Sequence, residues 1–188
     1  MPVRIPVDRA PVERGTAEPE ALRLRSKSVG PSLAESANEV RDMLMSGILH
    51  PGLLKLMGEC GHTDWLMLSD AGMPIPVGKE RIDLAILNDL PRQLTILKAI
   101  SDQLKLEKVY MAGEIEQVSP IYLSKVRAFL EKRGIPLEFV PHEQITAMSQ
   151  AAQTRACIRT GERTSYSTMI LQVGVPYGGD DHTGFNVE

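Results

Sequence analysis

Residues Ser119–Val140 read SPIYLSKVRAFLEKRGIPLEFV, and this run carries the alternation that decides the fold. Ser119 stands where a helix cap is wanted, and Pro120 suits the first turn, where its missing N–H would have had no partner. Ile121, Val126, Phe129 and Leu130 supply an apolar helical face, and Gly134 suits the exit. LEFV then reads as a short strand. A helix that hands its chain directly to a strand is the repeating step of an α/β sheet.

The same rhythm runs outward in both directions. Downstream, HEQITAMSQAAQ reads as a helix, with ACIRTGE and TMILQVGV as two closing strands. Upstream, KVYMAGE reads as a strand, LPRQLTILKAISDQL as a helix and RIDLAIL as a strand. WLMLS is a buried strand delivering Asp70 to its C-terminal end, and PGLLKLMGECG before it is a short helix opened by Pro51 and left at Gly61. The earliest apolar period, in SLAESANEVRDMLMSG, places Leu33, Ala37, Val40, Leu44 and Met45 near helical spacing and stops at Gly47. Helices on both faces of a mostly parallel sheet are expected. Residues 1–31 mix Pro, Arg, Glu and Ser without an apolar period and read as a flexible arm, 32–177 as one folded domain, and 178–188 as a surface tail.

Composition narrows the function. At 188 residues with a net charge of −3, the chain has no basic field for a nucleic-acid backbone or an anionic membrane. No apolar run approaches the length of a membrane span, the N-terminus lacks an apolar signal core, and only Cys60 and Cys157 carry thiols, so a cytoplasmic protein with reduced cysteines is expected. Dinucleotide, P-loop and serine-hydrolase signatures are absent. His50, His62, His142 and His182 show no metal-ligand spacing, and Cys60 reads as a small core residue rather than a nucleophile.

What remains is the stretch Gly61–Pro76, GHTDWLMLSDAGMPIP. His62 lies at a helix-to-strand turn, and Asp70 lies at the far end of the intervening strand, where open α/β sheets collect ligands. Gly72 is expected to permit an unusual turn, and Pro74 and Pro76 to stiffen the loop that holds Asp70. Imidazole titrates near neutral pH and can carry a proton in either direction, while a carboxylate can accept bonds from hydroxyls.

These residues resemble the GHTD…DAGLPIP signature of the D-ribose pyranase and L-fucose mutarotase family. RIDLAI follows, PHEQI resembles the family's histidine-containing segment, and IRTGERTSYSTMILQVGV resembles its closing motif, so the likeness runs from about Ile48 to Tyr177. The resemblance implies a three-layer α/β/α sandwich with a mostly parallel sheet of about six strands. It implies an isomerase that interconverts ring forms or anomers of a free monosaccharide, with D-ribose as the default, and that uses neither metal nor organic cofactor. It also implies a homo-oligomer, a decameric ring with sites at subunit contacts. Residue by residue, His62 corresponds to the catalytic proton donor, Asp70 and His142 to sugar-binding residues, and Tyr166 with Thr168 to the closing sugar contact.

One position departs from the pattern: the closing motif is usually Tyr-Ala-Asn, and here it is Tyr166-Ser167-Thr168. A threonine offers one short hydroxyl in place of a planar amide, so the departure bears on which sugar is taken more than on the reaction. The competing readings are an isomerase or lyase acting on an open-chain or modified sugar, and a non-catalytic sugar-binding partner of a transport system.

Overall fold

The computed structural model describes residues 47–177; the arm, the tail and the helix expected before Gly47 lie outside the described residues. The elements in chain order are α1 Pro51–Glu59, β1 Trp65–Ser69, β2 Glu80–Asp83, α2 Gln93–Ser101, β3 Leu106–Ala112, α3 Ile115–Val118, α4 Pro120–Lys132, β4 Leu137–Val140, α5 His142–Gln150, β5 Thr154–Arg159 and β6 Met169–Val173. They build one six-stranded sheet in the order β2-β5-β1-β6-β3-β4. Pairing is parallel between β1 and β5, β2 and β5, and β3 and β4, while β6 runs antiparallel to both β1 and β3. The chain is therefore α/β with a mostly parallel sheet, as its alternation implies. No helix among the described residues is long and apolar enough to cross a membrane.

Period-two side-chain alternation sorts the sheet into two faces. Leu66, Leu68, Val109, Met111 and Ile158 join the larger core with Leu53 and Leu56 of α1, Leu97 and Ile100 of α2, and Val126 and Leu130 of α4. Met67, Ala112, Cys157 and Ile170 point the other way, into a smaller core with Ile145 and Met148 of α5. The inner strands β1, β3, β5 and β6 are largely buried on both sides because both sides are covered, which is the pattern of a sheet between helical layers, while the edge strands β2 and β4 are more exposed.

Three local expectations change. The strand RIDLAIL stops at Asp83, whose carboxylate accepts from Ala85 N at 3.1 Å and turns the chain away. Ser119 does not cap α4; its hydroxyl donates to Ser165 O at 3.2 Å, so it ties α4 to the loop before β6 instead. Gly72 is not among the residues with positive φ; its backbone N–H donates to Asp70 Oδ1 at 2.8 Å, and closeness to that side chain is the constraint there.

One topological feature places the chemistry. Because β6 alone is reversed, its first residues meet the C-terminal ends of β1, β3, β4 and β5 at a single edge. Loops after β1, β3, β4 and β5 and the segment entering β6 thus share one rim, the usual place for a ligand in an open α/β sheet.

Candidate active site

Asp70 is the first residue beyond β1, and both of its carboxylate oxygens are engaged. Gly72 N donates to Oδ1 and Thr168 Oγ1 donates to Oδ2, each at 2.8 Å. A carboxylate oxygen can accept two bonds, so each oxygen keeps one free acceptor site in a fixed direction. That geometry suits a pair of neighbouring hydroxyls. Thr168 itself is only 3% exposed, and its hydroxyl proton is committed to Asp70.

His142 is the first residue of α5, following Pro141 at the end of β4, and its ring meets Tyr166 edge to face, with centroids 5.2 Å apart at 88°. Tyr166 sits at φ +59, a left-handed conformation that a bulky residue adopts only when its surroundings impose it. The Ser119 bond to Ser165 O is one such constraint. Beside this pair lies a cavity of about 470 Å³ whose lining includes Gly113, Glu114, Gln117, Pro141 and Tyr166. Asp70, Thr168, His142 and Tyr166 therefore gather at one rim, brought from β1, α5 and the entrance to β6.

His62 does not join them within one chain. It precedes β1, and the five residues of that strand at about 3.3 Å each put it roughly 17 Å from Asp70, at the opposite edge of the sheet. Thr63 beside it is left-handed at φ +68, and Thr63 N donates to Val173 O at 2.9 Å, fixing the turn to the end of β6. The imidazole is 53% exposed, with Nε2 3.4 Å from Glu107 Oε2. A straight strand cannot bring the residues at its two ends together, whatever their closeness in sequence.

Two acidic residues that sequence reading did not single out hold the rim in place. Glu162 is fully buried; its Oε1 accepts from Thr164 Oγ1 at 2.6 Å and lies 3.2 Å from Arg92 Nη1, and its Oε2 accepts from Gln93 N at 3.4 Å. Its backbone carbonyl accepts from Ala71 N at 2.8 Å, so the loop bearing Asp70 and the loop leading to Tyr166 are fastened to each other and to the start of α2. Gln93 extends the fastening: it donates to Leu68 O at 2.7 Å and accepts from Tyr122 Oη at 2.6 Å. Glu114, after β3, accepts from His142 N at 3.1 Å. Both carboxylates belong to Gly-Glu pairs just beyond a strand, at Gly113-Glu114 and Gly161-Glu162, and that repeated position was the available signal.

The thiols stand apart from this chemistry. Burial, and next the charge of Asp64, push Cys60 up to about 11, and burial pushes Cys157 up to about 11. Neither is a thiolate at neutral pH. Among the described residues, no group of three or more His, Cys, Asp or Glu is placed to hold a metal ion.

Comparison with known proteins gives the same region. The model of the RbsD / FucU transport protein family matches residues 43–176. A D-ribose pyranase of Geobacillus kaustophilus is 41% identical over 139 residues, covering 74% of this chain and 99% of the relative. One from Limosilactobacillus fermentum is 38% identical over 135 residues, 72% of this chain and all of the relative. Among solved structures, Bacillus subtilis RbsD complexed with D-ribose aligns at a TM-score of 0.66 with 32% identity, covering 72% of this chain and 100% of that one. The fucose mutarotase of Streptococcus pneumoniae in complex with L-fucose aligns at 0.58 with 25% identity, covering 68% and 94%.

Proposed function

The chain belongs to the RbsD / FucU transport protein family, and from that membership we propose that it is a cofactor-independent sugar isomerase, a pyranase or mutarotase acting on a free monosaccharide of the D-ribose type. The observation that carries the reading is the meeting of Asp70, with one open acceptor on each oxygen, and the His142–Tyr166 pair at a single rim. Asp70 takes two sugar hydroxyls, His142 contacts the ring or its substituents, and Tyr166 offers an aromatic edge and a hydroxyl.

Ring opening needs a proton delivered to the ring oxygen and one withdrawn from the anomeric hydroxyl; ring closure on either face, or to the other ring size, reverses those transfers. His62 is assigned the delivery, since imidazole exchanges protons readily near neutral pH. In one chain it lies a strand's length from the sugar site, so His62 of a second copy must serve this copy's Asp70. Exchanged across a twofold axis such a contact joins two copies, and passed head-to-tail from each copy to the next it closes into a ring when the rotation allows. The expected decamer is a ring of this kind.

Saturation-transfer NMR on D-ribose, with L-fucose and related sugars as comparisons, tests the reading directly. Acceleration of exchange between anomers or ring forms is expected for at least one of them. A protein that accelerates none is not this enzyme.

A further inference from the structure

We propose that Glu114 is a positioning residue for His142, setting the place and direction of that imidazole from a different element; the inference rests on reading His142 as part of the sugar site. α5 begins without a side-chain cap of its own, since Pro141 at its N-cap position offers none. The first N–H groups of a helix have no partner within it. Glu114 supplies one across 28 residues of sequence, its Oε1 accepting from His142 N at 3.1 Å.

That bond differs from an ordinary cap in two ways. It falls on His142 itself, so it fixes the backbone from which the imidazole projects, and it originates at the end of β3, where Gly113 N donates to Val140 O at 2.9 Å and locks the neighbouring strand ends together. The start of α5 is thereby set against the sheet and not only within its own helix. The carboxylate is also held inward: Oε2 is shielded from solvent, and the N–H groups of Glu114 itself and of His142 keep the carboxyl below the usual carboxylate range. On the other flank, the ring meets Tyr166, whose left-handed backbone is fixed independently through the Ser119 bond to Ser165. Glu114 holds the backbone of His142 and Tyr166 meets its ring, and both Glu114 and Tyr166 line the same cavity.

The test compares Glu114→Ala, Glu114→Gln and His142→Ala in the full chain, reading kcat and KM for D-ribose exchange by saturation-transfer NMR and the His142 ring resonances by heteronuclear NMR. Misplacing a substrate-contacting group costs up to about a hundredfold, so Glu114→Ala is expected to lower kcat by at least about tenfold and to displace the His142 ring signals from their ring-current position over Tyr166. Glu114→Gln keeps an acceptor for His142 N and is expected to restore kcat to within about threefold, a rescue that a general loss of stability would not show. Should Glu114→Ala fail to fold, Glu114→Asp, one methylene short of the helix, is expected to behave as the alanine variant would. Unchanged kcat, KM and ring signals in either shortened variant overturn the proposal. If His142→Ala itself leaves exchange and sugar binding intact, the reading of the site falls and this inference with it; if His142→Ala is impaired while the Glu114 variants are not, only the inference falls.

Discussion

At the C-terminal end of β1 the Asp70 carboxylate has a bond on each oxygen, and its loop is fastened through Glu162 to α2 and to the segment entering β6. At the other end of the same strand, His62 stands half exposed on a turn, with one contact of 3.4 Å to Glu107. In the proposed function one end receives the sugar's hydroxyls. The other then carries the proton, from a side chain left half exposed in one chain. Precise hydroxyl recognition needs groups locked by their neighbours, whereas a donor completed by a second subunit must stay accessible until assembly.

The strongest way to break this contrast is to remove each end separately. His62→Ala is expected to slow exchange by about 10²–10⁴-fold, the usual share of a general acid or base, while sugar affinity stays within a few-fold. A mixed assembly sharpens the point. Subunits carrying His62→Ala and subunits carrying Asp70→Asn, each impaired alone, are expected to recover part of the activity at subsaturating sugar when co-assembled, because some contacts then pair an intact His62 with an intact Asp70. If co-assembled variants recover nothing while both fold and associate, the proposed division of labour between copies is wrong.

Asp70→Asn alone acts through recognition. Hydrogen bonds to a charged acceptor contribute about 1.5–3 kcal/mol, so sugar affinity is expected to fall roughly 10- to 100-fold in a calorimetric titration. The amide also turns one accepting oxygen into a donor facing Thr168, which removes the matched pair of acceptors.

How much of this could be read from the chain follows from the range of the forces involved. The helix at Pro120–Lys132 and the strand at Leu137–Val140 declare themselves because apolar period, Pro and Gly are local signals. His62 and Asp70 were legible as chemically apt residues at opposite ends of the strand Trp65–Ser69, and their separation follows from that strand being extended; which distant side chains meet each of them was not legible. Ser119 illustrates the same limit: its cap position was read correctly as a place, but Ser165, 46 residues away, took the hydroxyl. Glu162 was a letter in the IRTGE motif until the fold showed its carboxylate between Arg92, Gln93 and Thr164. Long-range hydrogen bonds leave no period in a sequence.

Thr168 is the smaller lever at the same end. Thr168→Val keeps the shape and removes the donor to Asp70, which is expected to cost about 1 kcal/mol, or roughly fivefold in sugar affinity, with kcat moved less than KM. Thr168→Asn restores the residue of the resembled closing motif and is expected to change the order in which sugars are preferred, measured as relative kcat/KM across D-ribose and L-fucose. A ranking that does not move would place the choice of sugar elsewhere on the rim.

Glu107→Gln probes the loose end and should do least. The His62–Glu107 pair is roughly half exposed on both sides, and exposed pairs contribute about 0.2–1 kcal/mol, less at high salt. Glu107 also accepts from Gln172 Nε2 at 2.9 Å, and Gln172 Oε1 accepts from Tyr110 Oη at 3.1 Å, so the carboxylate has structural partners that a glutamine can partly keep. A change in exchange rate below about fivefold, shrinking further as salt is raised, is therefore expected. A loss comparable to that of His62→Ala, persisting at high salt, would mean that Glu107 orients the imidazole in the assembled ring. The end of the sheet that looks open in one chain would then be as tightly built as the other once its neighbour is in place.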